Sequence, residues 1–487
     1  MELLIVLFIY FVSFLDKPEK SAPQLSPRAV EQRAKWSIPT DGMDYPVSPH
    51  YTDSLRRMGA TIHHKSRWFN GVTCEMSEKL AGKVAQLSFV TEVEMTRDNS
   101  EPVYSRRKQE RRNLIAHRAQ NTEYMTQTGD LASDEQLEVY NLLPLHEAGF
   151  EGQGILMAVC DGGFYKADKL SCFRHDSLEL GHFDFTDDKD GFYGWTGTHG
   201  TECLSAISGI TDDYHGAATQ AKYYLMRSEE NATESPKEMD NLVAALEKAD
   251  SLGVNVFSVS LGYAMFDNEE WNMDGSSLNG VVSRASRAAT IAARKGMLVC
   301  TAIGNEGDSP WRTLSAPADA DSILTVGAVD INRQIGNFSS YGPTSDGRVK
   351  PEVCAVGVWT ALINPNGDVV HSNGTSFATP LIAGLAASLW SALPDENAMQ
   401  IRERIIRSAE FYNYPDPDNH YGYGIPDAWK AYTMTLESID SPQPSPGSRK
   451  ILRNGQIYIL RGDKEYDLLG RALKFIEFIF LLLILFE

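Results

Sequence analysis

The chain has 487 residues, 42% apolar and 23% charged, which excludes wholesale disorder and leaves room for roughly two to four domains of about 150 residues. Its 45 basic and 65 acidic side chains give −20, all of it in the back: residues 1–135 carry 18 of each sign, and residues 136–487 carry 27 basic and 47 acidic. Such an acidic body repels phosphate backbones, so no nucleic-acid partner is expected, and no apolar run reaches the roughly 20 residues of a spanning helix.

After Glu2 the chain is apolar to Leu15, apart from Tyr10 and Ser13. Residues 1–15 have the length of a secretory signal's apolar region. They lack its positive start and its small-residue cleavage site. The alternative is that Tyr10 to Leu15 is already the first strand of a folded domain.

Residues 16–112 read as a small α+β domain. Ser26-Pro27 and Ser48-Pro49 each place a capping residue before a proline at the first helical position, and Gly59 ends the second helix. Strands are expected at 60–64, 69–75 and 90–95, with a helix over 77–86; Asn70-Gly71 is a hairpin dipeptide. The stretch Ser105-Arg106-Arg107-Lys108-Gln109-Glu110-Arg111-Arg112 and the polar residues after it, to about 135, read as a solvated, protease-accessible linker.

Residues 136–437 alternate short apolar runs (154–160, 221–226, 254–260, 297–303, 323–329) with helical stretches at 238–252 and 280–295. That pattern predicts an α/β domain with a parallel sheet covered by helices on both faces. A Pro/Ser linker follows at 438–449, then strand-like alternation around Arg461-Gly462-Asp463 within 450–474, and an apolar tail at 475–487. Six cysteines lie far apart with no C-x-x-C pair, which disfavours a zinc ribbon or a dithiol redox site; Cys160 and Cys300 sit in apolar strands as core thiols.

Three segments carry candidate chemistry. Ala158-Val159-Cys160-Asp161-Gly162-Gly163 ends a buried strand in an acid, Gly197-Thr198-His199-Gly200-Thr201 opens a helix, and Asn373-Gly374-Thr375-Ser376-Phe377-Ala378-Thr379-Pro380 opens another. A hydrolytic serine needs a base within hydrogen-bond reach and an acid that orients the base. In an open parallel sheet the strands' carboxyl ends and the following helix starts meet on one edge, so the three side chains can converge. An α/β-hydrolase is excluded, because Ala378 stands where its nucleophile turn needs glycine and the acid and base precede the serine.

In that order, these motifs resemble the subtilisin-like serine proteases, or subtilases, over about residues 136–435. The resemblance implies catalytic Asp161, His199 and Ser376. It also implies Asn305, in Ala302-Ile303-Gly304-Asn305-Glu306-Gly307, as side-chain donor to the oxyanion. Substrate would bind by strand addition along Ser260, Leu261 and Gly262, with the pocket for the residue before the cut bond near Gly304. Small departures are Cys160, Ile303 and Phe377. The front domain resembles the family's propeptide, which would chaperone folding and then sit across the active site. The expected partners are therefore polypeptide substrates and the chain's own propeptide. No cofactor is required. The acids Asp184, Asp187, Asp188 and Asp190 have the hard oxygens of a structural calcium site, but such a run is more often a solvated loop. Cys203, one helical turn from His199, is expected to pack beside it. The segment from Lys450 to Gly470 resembles type IX secretion C-terminal signals of Bacteroidetes-type bacteria, implying that export machinery as a partner and a secreted or cell-surface location. The expected function is a secreted serine endopeptidase made as a zymogen; the alternative is a catalytically silent surface binding protein on the same scaffold.

Overall fold

The computed structural model describes residues 6–99, 133–435 and 448–466, apart from residues 20, 174, 189–190, 195–196, 231, 414–416, 454–455 and 462–463. The front domain is a four-stranded antiparallel sheet in the order β2-β3-β1-β4, with β1 at Phe8–Phe14, β2 at Thr61–Ser66, β3 at Gly71–Met76 and β4 at Val90–Arg97. Its helices are α1 (Pro27–Lys35), α2 (Pro49–Met58) and α3 (Glu78–Val84), capped by Ser26, Ser48 and Ser77, with Gly59 closing α2 at φ 106°.

The boundary at residue 16 is corrected: Phe8–Phe14 is an interior strand of this sheet, so the domain includes it. Its nearly continuous apolarity has a physical cause. Tyr10, Val12 and Phe14 face the domain's own core with Leu55, Val72 and Cys74. On the opposite face Ile9 and Phe11 are also buried, and the Arg284 guanidinium of the second domain lies 4.5 Å over the Phe11 ring. A strand covered on both faces loses the alternation of a half-exposed one.

The second domain holds a seven-stranded sheet in the order β13-β12-β11-β10-β5-β9-β6, every neighbouring pair parallel. The strands are β5 (Leu156–Asp161), β6 (Glu179–Asp184), β9 (Lys222–Arg227), β10 (Val256–Val259), β11 (Leu298–Ala302), β12 (Leu324–Val329) and β13 (Val353–Val356). Two short hairpins add β7 (Ile210–Thr211) with β8 (Tyr214–His215), and β14 (Thr360–Ile363) with β15 (Val369–Ser372). Helices α4 (His199–Ser208), α5 (Lys237–Leu252), α6 (Arg284–Arg294) and α7 (Thr375–Ala392) cover the sheet. The domain begins earlier than residue 136: a helix starts at Asp134, and the buried Ser133 hydroxyl accepts from His215 N–H at 2.8 Å. The apolar α7 is buried nearly from end to end and packs against β10, β11 and β12, as a helix without a polar face must.

The order of strands places the site. After β5 the chain lays β6 and β9 on one side, then crosses to β10 on the other. Beyond β5 and β10 lies the crevice where open α/β sheets bind ligands. Asp161 is the last residue of β5, and Ser260 follows β10 directly.

The two domains meet through α5 and α6. Glu247 of α5 accepts from the Ser66 hydroxyl at 2.6 Å and from the backbone N–H groups of Arg67 at 2.9 Å and Trp68 at 3.1 Å. Asp250 is held by Arg33 at 2.7 Å and Arg67 at 2.5 Å, and Arg284 bridges Asp240 and Glu94. The basic linker, residues 100–132, lies outside the described residues.

A separate unit carries three antiparallel strands, β16 (Ser448–Arg453), β17 (Gln456–Arg461) and β18 (Lys464–Tyr466). The sequence pattern anticipated only a pair about Arg461-Gly462-Asp463. The apolar tail lies outside the described residues. No helix of the described residues is long and apolar enough to cross a membrane.

Candidate active site

Asp161 is 2% exposed, and one of its oxygens accepts the Gly162 N–H at 2.8 Å. His199 starts α4 and sets Nδ1 against both Asp161 oxygens, at 2.9 and 3.0 Å. This close approach explains Gly200: a Cβ there would run into the Gly163 carbonyl oxygen and stand 3.0 Å from the Asp161 Cβ. The carboxylate holds the imidazole in the tautomer with its proton on Nδ1, leaving Nε2 as the base. Burial pulls the His199 pKa down, but the Asp161 charge and the adjacent Cys203 outweigh it and raise it well above the ordinary value.

Ser376 is the second residue of α7, 7% exposed, where the helix's free N–H groups and dipole favour negative charge. Four residues on is Pro380, which has no N–H for the Ser376 carbonyl. That carbonyl instead accepts from the Ser260 hydroxyl at 2.7 Å and the Cys203 thiol at 3.4 Å. Burial raises the Cys203 pKa to about 11, so it remains a donor thiol, with its sulfur 3.8 Å from His199 Nδ1. The Phe377 ring lies 5.5 Å from the His199 ring. The structure thus brings Asp161, His199 and Ser376 together. The Ser376 hydroxyl points at the Ser260 carbonyl at 3.4 Å, a weak bond.

Asn305 and Gly304 reach the same helix start. Asn305 Oδ1 accepts from Thr375 N–H at 2.8 Å and from its hydroxyl at 3.0 Å. Two donors on the oxygen settle the amide's orientation and leave Nδ2 as its donating end. Thr375 also exchanges hydrogen bonds with Gly304 through its hydroxyl, at 3.2 and 3.4 Å. This positioning role escaped sequence reasoning, although Thr375 lies inside the serine motif. Ser260, Leu261 and Gly262 continue beyond β10. Ser260 is buried and anchors Ser376, whereas Leu261 and Gly262 are half-exposed. A Cβ on Gly262 would collide with the Ser315 hydroxyl.

The described acids of the acidic run pair with basic side chains of the protein. Arg227 holds Asp188 at 2.5 Å and Asp184 at 3.4 Å, while Asp187 pairs with Lys237 at 2.8 Å and His63 at 2.8 Å. Asp190 lies outside the described residues.

An acid, an imidazole and a serine hydroxyl at the crevice of a parallel sheet, with a donor amide alongside, define a serine-hydrolase type of site. The subtilase family model of peptidase S8 matches residues 152–424, and the Bacteroidota peptidase S8 propeptide model matches residues 9–113. The chain belongs to the subtilase family and carries its propeptide domain. It is 28% identical over 310 residues to serine protease AprX of Bacillus subtilis, covering 57% of this chain and 66% of AprX. It is 28% identical over 285 residues to subtilisin E of the same organism, covering 58% of this chain and 66% of that relative. The crystal structure of MycP1 from Mycobacterium smegmatis superposes with TM-score 0.52 at 22% identity, over 66% of this chain and 89% of that one, and shares the fold.

Proposed function

We propose that this subtilase is a secreted serine endopeptidase made as a zymogen. The observation that carries the reading is the short double contact of His199 with the buried Asp161, beside a serine at a helix start. His199 Nε2 takes the Ser376 proton as the hydroxyl attacks the peptide carbonyl, and later passes it to the leaving amine. Asp161 stabilises the imidazolium between those steps. Asn305 Nδ2 and the Ser376 N–H donate to the oxyanion. An extended peptide would pair with the backbone at Ser260–Gly262 and place its cut bond over Ser376. Secretion is supported by the kinship with AprX and the subtilisins, and the strands of 448–466 suit a sorting segment.

The test is labelling with a fluorophosphonate, which reacts only with an activated serine. Stoichiometric modification of Ser376 is expected, lost in Ser376→Ala. Failure to label at neutral pH would favour a silent binding protein on this scaffold.

A further inference from the structure

Two glycines border the place proposed for the side chain before the cut bond. Gly262 ends the segment proposed to pair with substrate, and Gly304 precedes Asn305. Both face the same serine. A Cβ on Gly262 would collide with the Ser315 hydroxyl and stand 3.4 Å from the Ser315 Cβ. A Cβ on Gly304 would stand 3.5 Å from that same hydroxyl oxygen and 2.9 Å from the hydroxyl oxygen of Ser340. The room that two glycines leave is taken up by two serine side chains.

The backbone keeps Ser315 in this place. Tyr263 and Ala316, the residues directly after Gly262 and Ser315, exchange hydrogen bonds at 2.7 and 3.0 Å. Ser315 N–H donates to the Ile303 carbonyl at 3.3 Å, and the Ser315 carbonyl accepts from Ala318 N–H at 2.8 Å. Its hydroxyl can turn, but its Cβ is fixed beside Gly262.

The two serines differ in how their hydroxyls are satisfied. Ser340 Oγ accepts from Glu306 N–H at 3.0 Å. Ser315, 4% exposed, has a buried hydroxyl with no hydrogen-bond partner. Its neighbours Ile303, Leu314 and Ala318 belong, with Leu278, to a buried apolar cluster. An unbonded hydroxyl in such surroundings costs stability, so packing alone does not account for a serine here. Its effect is on shape. It leaves the space between Gly262 and Gly304 deep enough for a hydrogen, a methyl or a hydroxymethyl group and too shallow for a longer side chain.

We infer that Ser315 sets the specificity of this site by shortening the pocket for the residue before the cut bond, so that the enzyme cuts after glycine, alanine or serine and rejects leucine and phenylalanine. This rests on the endopeptidase reading. The same limit applies to self-processing: between residues 100 and 132 the sequence offers Ser100, Ser105, Ala116, Ala119, Gly129 and Ala132 as places for the cut, and the arginines of that stretch are passed over.

Fluorophosphonate labelling of self-processed full-length enzyme is scored first, and the labelled fraction normalises kcat/KM on matched peptides with Gly, Ala, Ser, Leu, Phe or Arg before the cut bond. Ala is expected to exceed Phe by about 100-fold or more, since one methylene too many in a pocket already changes the rate about 10-fold or more. Ser315→Gly should raise cutting after Phe and Leu, relative to Ala, by about 10-fold or more, as the freed space has apolar residues around it. Ser315→Ala, which keeps the Cβ, should fall between the two and carries the comparison if labelling shows Ser315→Gly to be unfolded. Intact mass after self-processing in a protease-deficient host identifies the residue before the first cut. Labelled wild-type enzyme that cuts after Phe or Leu as well as after Ala overturns the inference, as does a first self-cut after arginine. An unchanged ratio in folded Ser315 variants overturns the assignment to this residue. Absent labelling would defeat the protease reading itself, and the specificity with it.

Discussion

Glu247 offers the sharpest test of how the propeptide is held. It stands on α5, 4% exposed, and receives three donors from the Ser66–Trp68 turn of the front domain, residues that are themselves only 5–7% exposed. Glu247→Ala strips the acceptor from the Arg67 and Trp68 amides, which stay buried. Each orphaned amide costs about 1–3 kcal/mol. The Ser66 hydroxyl can turn, so it adds little. Burial raises the Glu247 pKa, which means its charge was costly to place, and deleting it returns part of the loss. The net is about 2–4 kcal/mol, or roughly a 30- to 700-fold larger opening constant for the docked turn. Hydrogen exchange of the Arg67 and Trp68 amides reads this directly, in a full-length Ser376→Ala background where the propeptide stays attached. Lys35→Ala is the control: its contact with Asp395 spans 3.4 Å between side chains 46% and 97% exposed, and no measurable change is expected. Amide protection in Glu247→Ala within about 3-fold of its parent would refute the argument that this carboxylate holds the domains together.

Asn305→Ala should lower kcat by about 10²–10³ with KM nearly unchanged, because its amide is engaged mainly when the oxyanion forms; a loss confined to KM would place Asn305 elsewhere in the mechanism. Ser376→Ala should accumulate as an uncut full-length precursor when expressed in a protease-deficient host, followed by intact-mass measurement; processing at the wild-type rate would rule out self-cleavage. Docking should weaken as pH falls below about 6.5, because His64 is buried against Asn241, the Phe185 carbonyl, Lys237 and His63, and its pKa is lowered first by that burial and then by Lys237. The undocked imidazole takes up a proton at a pH where the docked one stays neutral, so proton binding favours release. Exchange protection of the 61–76 amides compared at about pH 7.5 and 5.5 should show this, and His64→Gln should flatten the difference.

Much of this was legible in the sequence because local chemistry and tertiary demand agree. Ser26, Ser48 and Ser77 cap the helices they precede, and Gly59 takes the left-handed conformation that ends α2. The strand that ends in Asp161 and the helix starts at His199 and Thr375 stand where their motifs implied. What escaped depends on a second surface. At β1 the choice between a secretory segment and a first strand stayed open because both its faces are covered, one by residues more than 200 positions away. The partners of the run from Asp184 to Asp188, which are Arg227, Lys237 and His63, come from distant elements and could not be read locally.

Pro380 has an effect that reaches beyond helix geometry. By withholding one N–H it leaves the Ser376 carbonyl without its partner in the helix ladder, and the fold hands that oxygen to Ser260, just beyond β10, and Cys203 on α4. Three separately folded pieces therefore share one atom as a common reference point. In the proposed mechanism, a shift of the Ser260 segment would act on the start of α7, and α4 is bound to the same oxygen. The relative placement of Ser260, Ser376 and α4 then follows from a missing hydrogen rather than from an added contact. A residue at 380 that restored the N–H would draw the carbonyl back into the helix and let the three pieces drift independently.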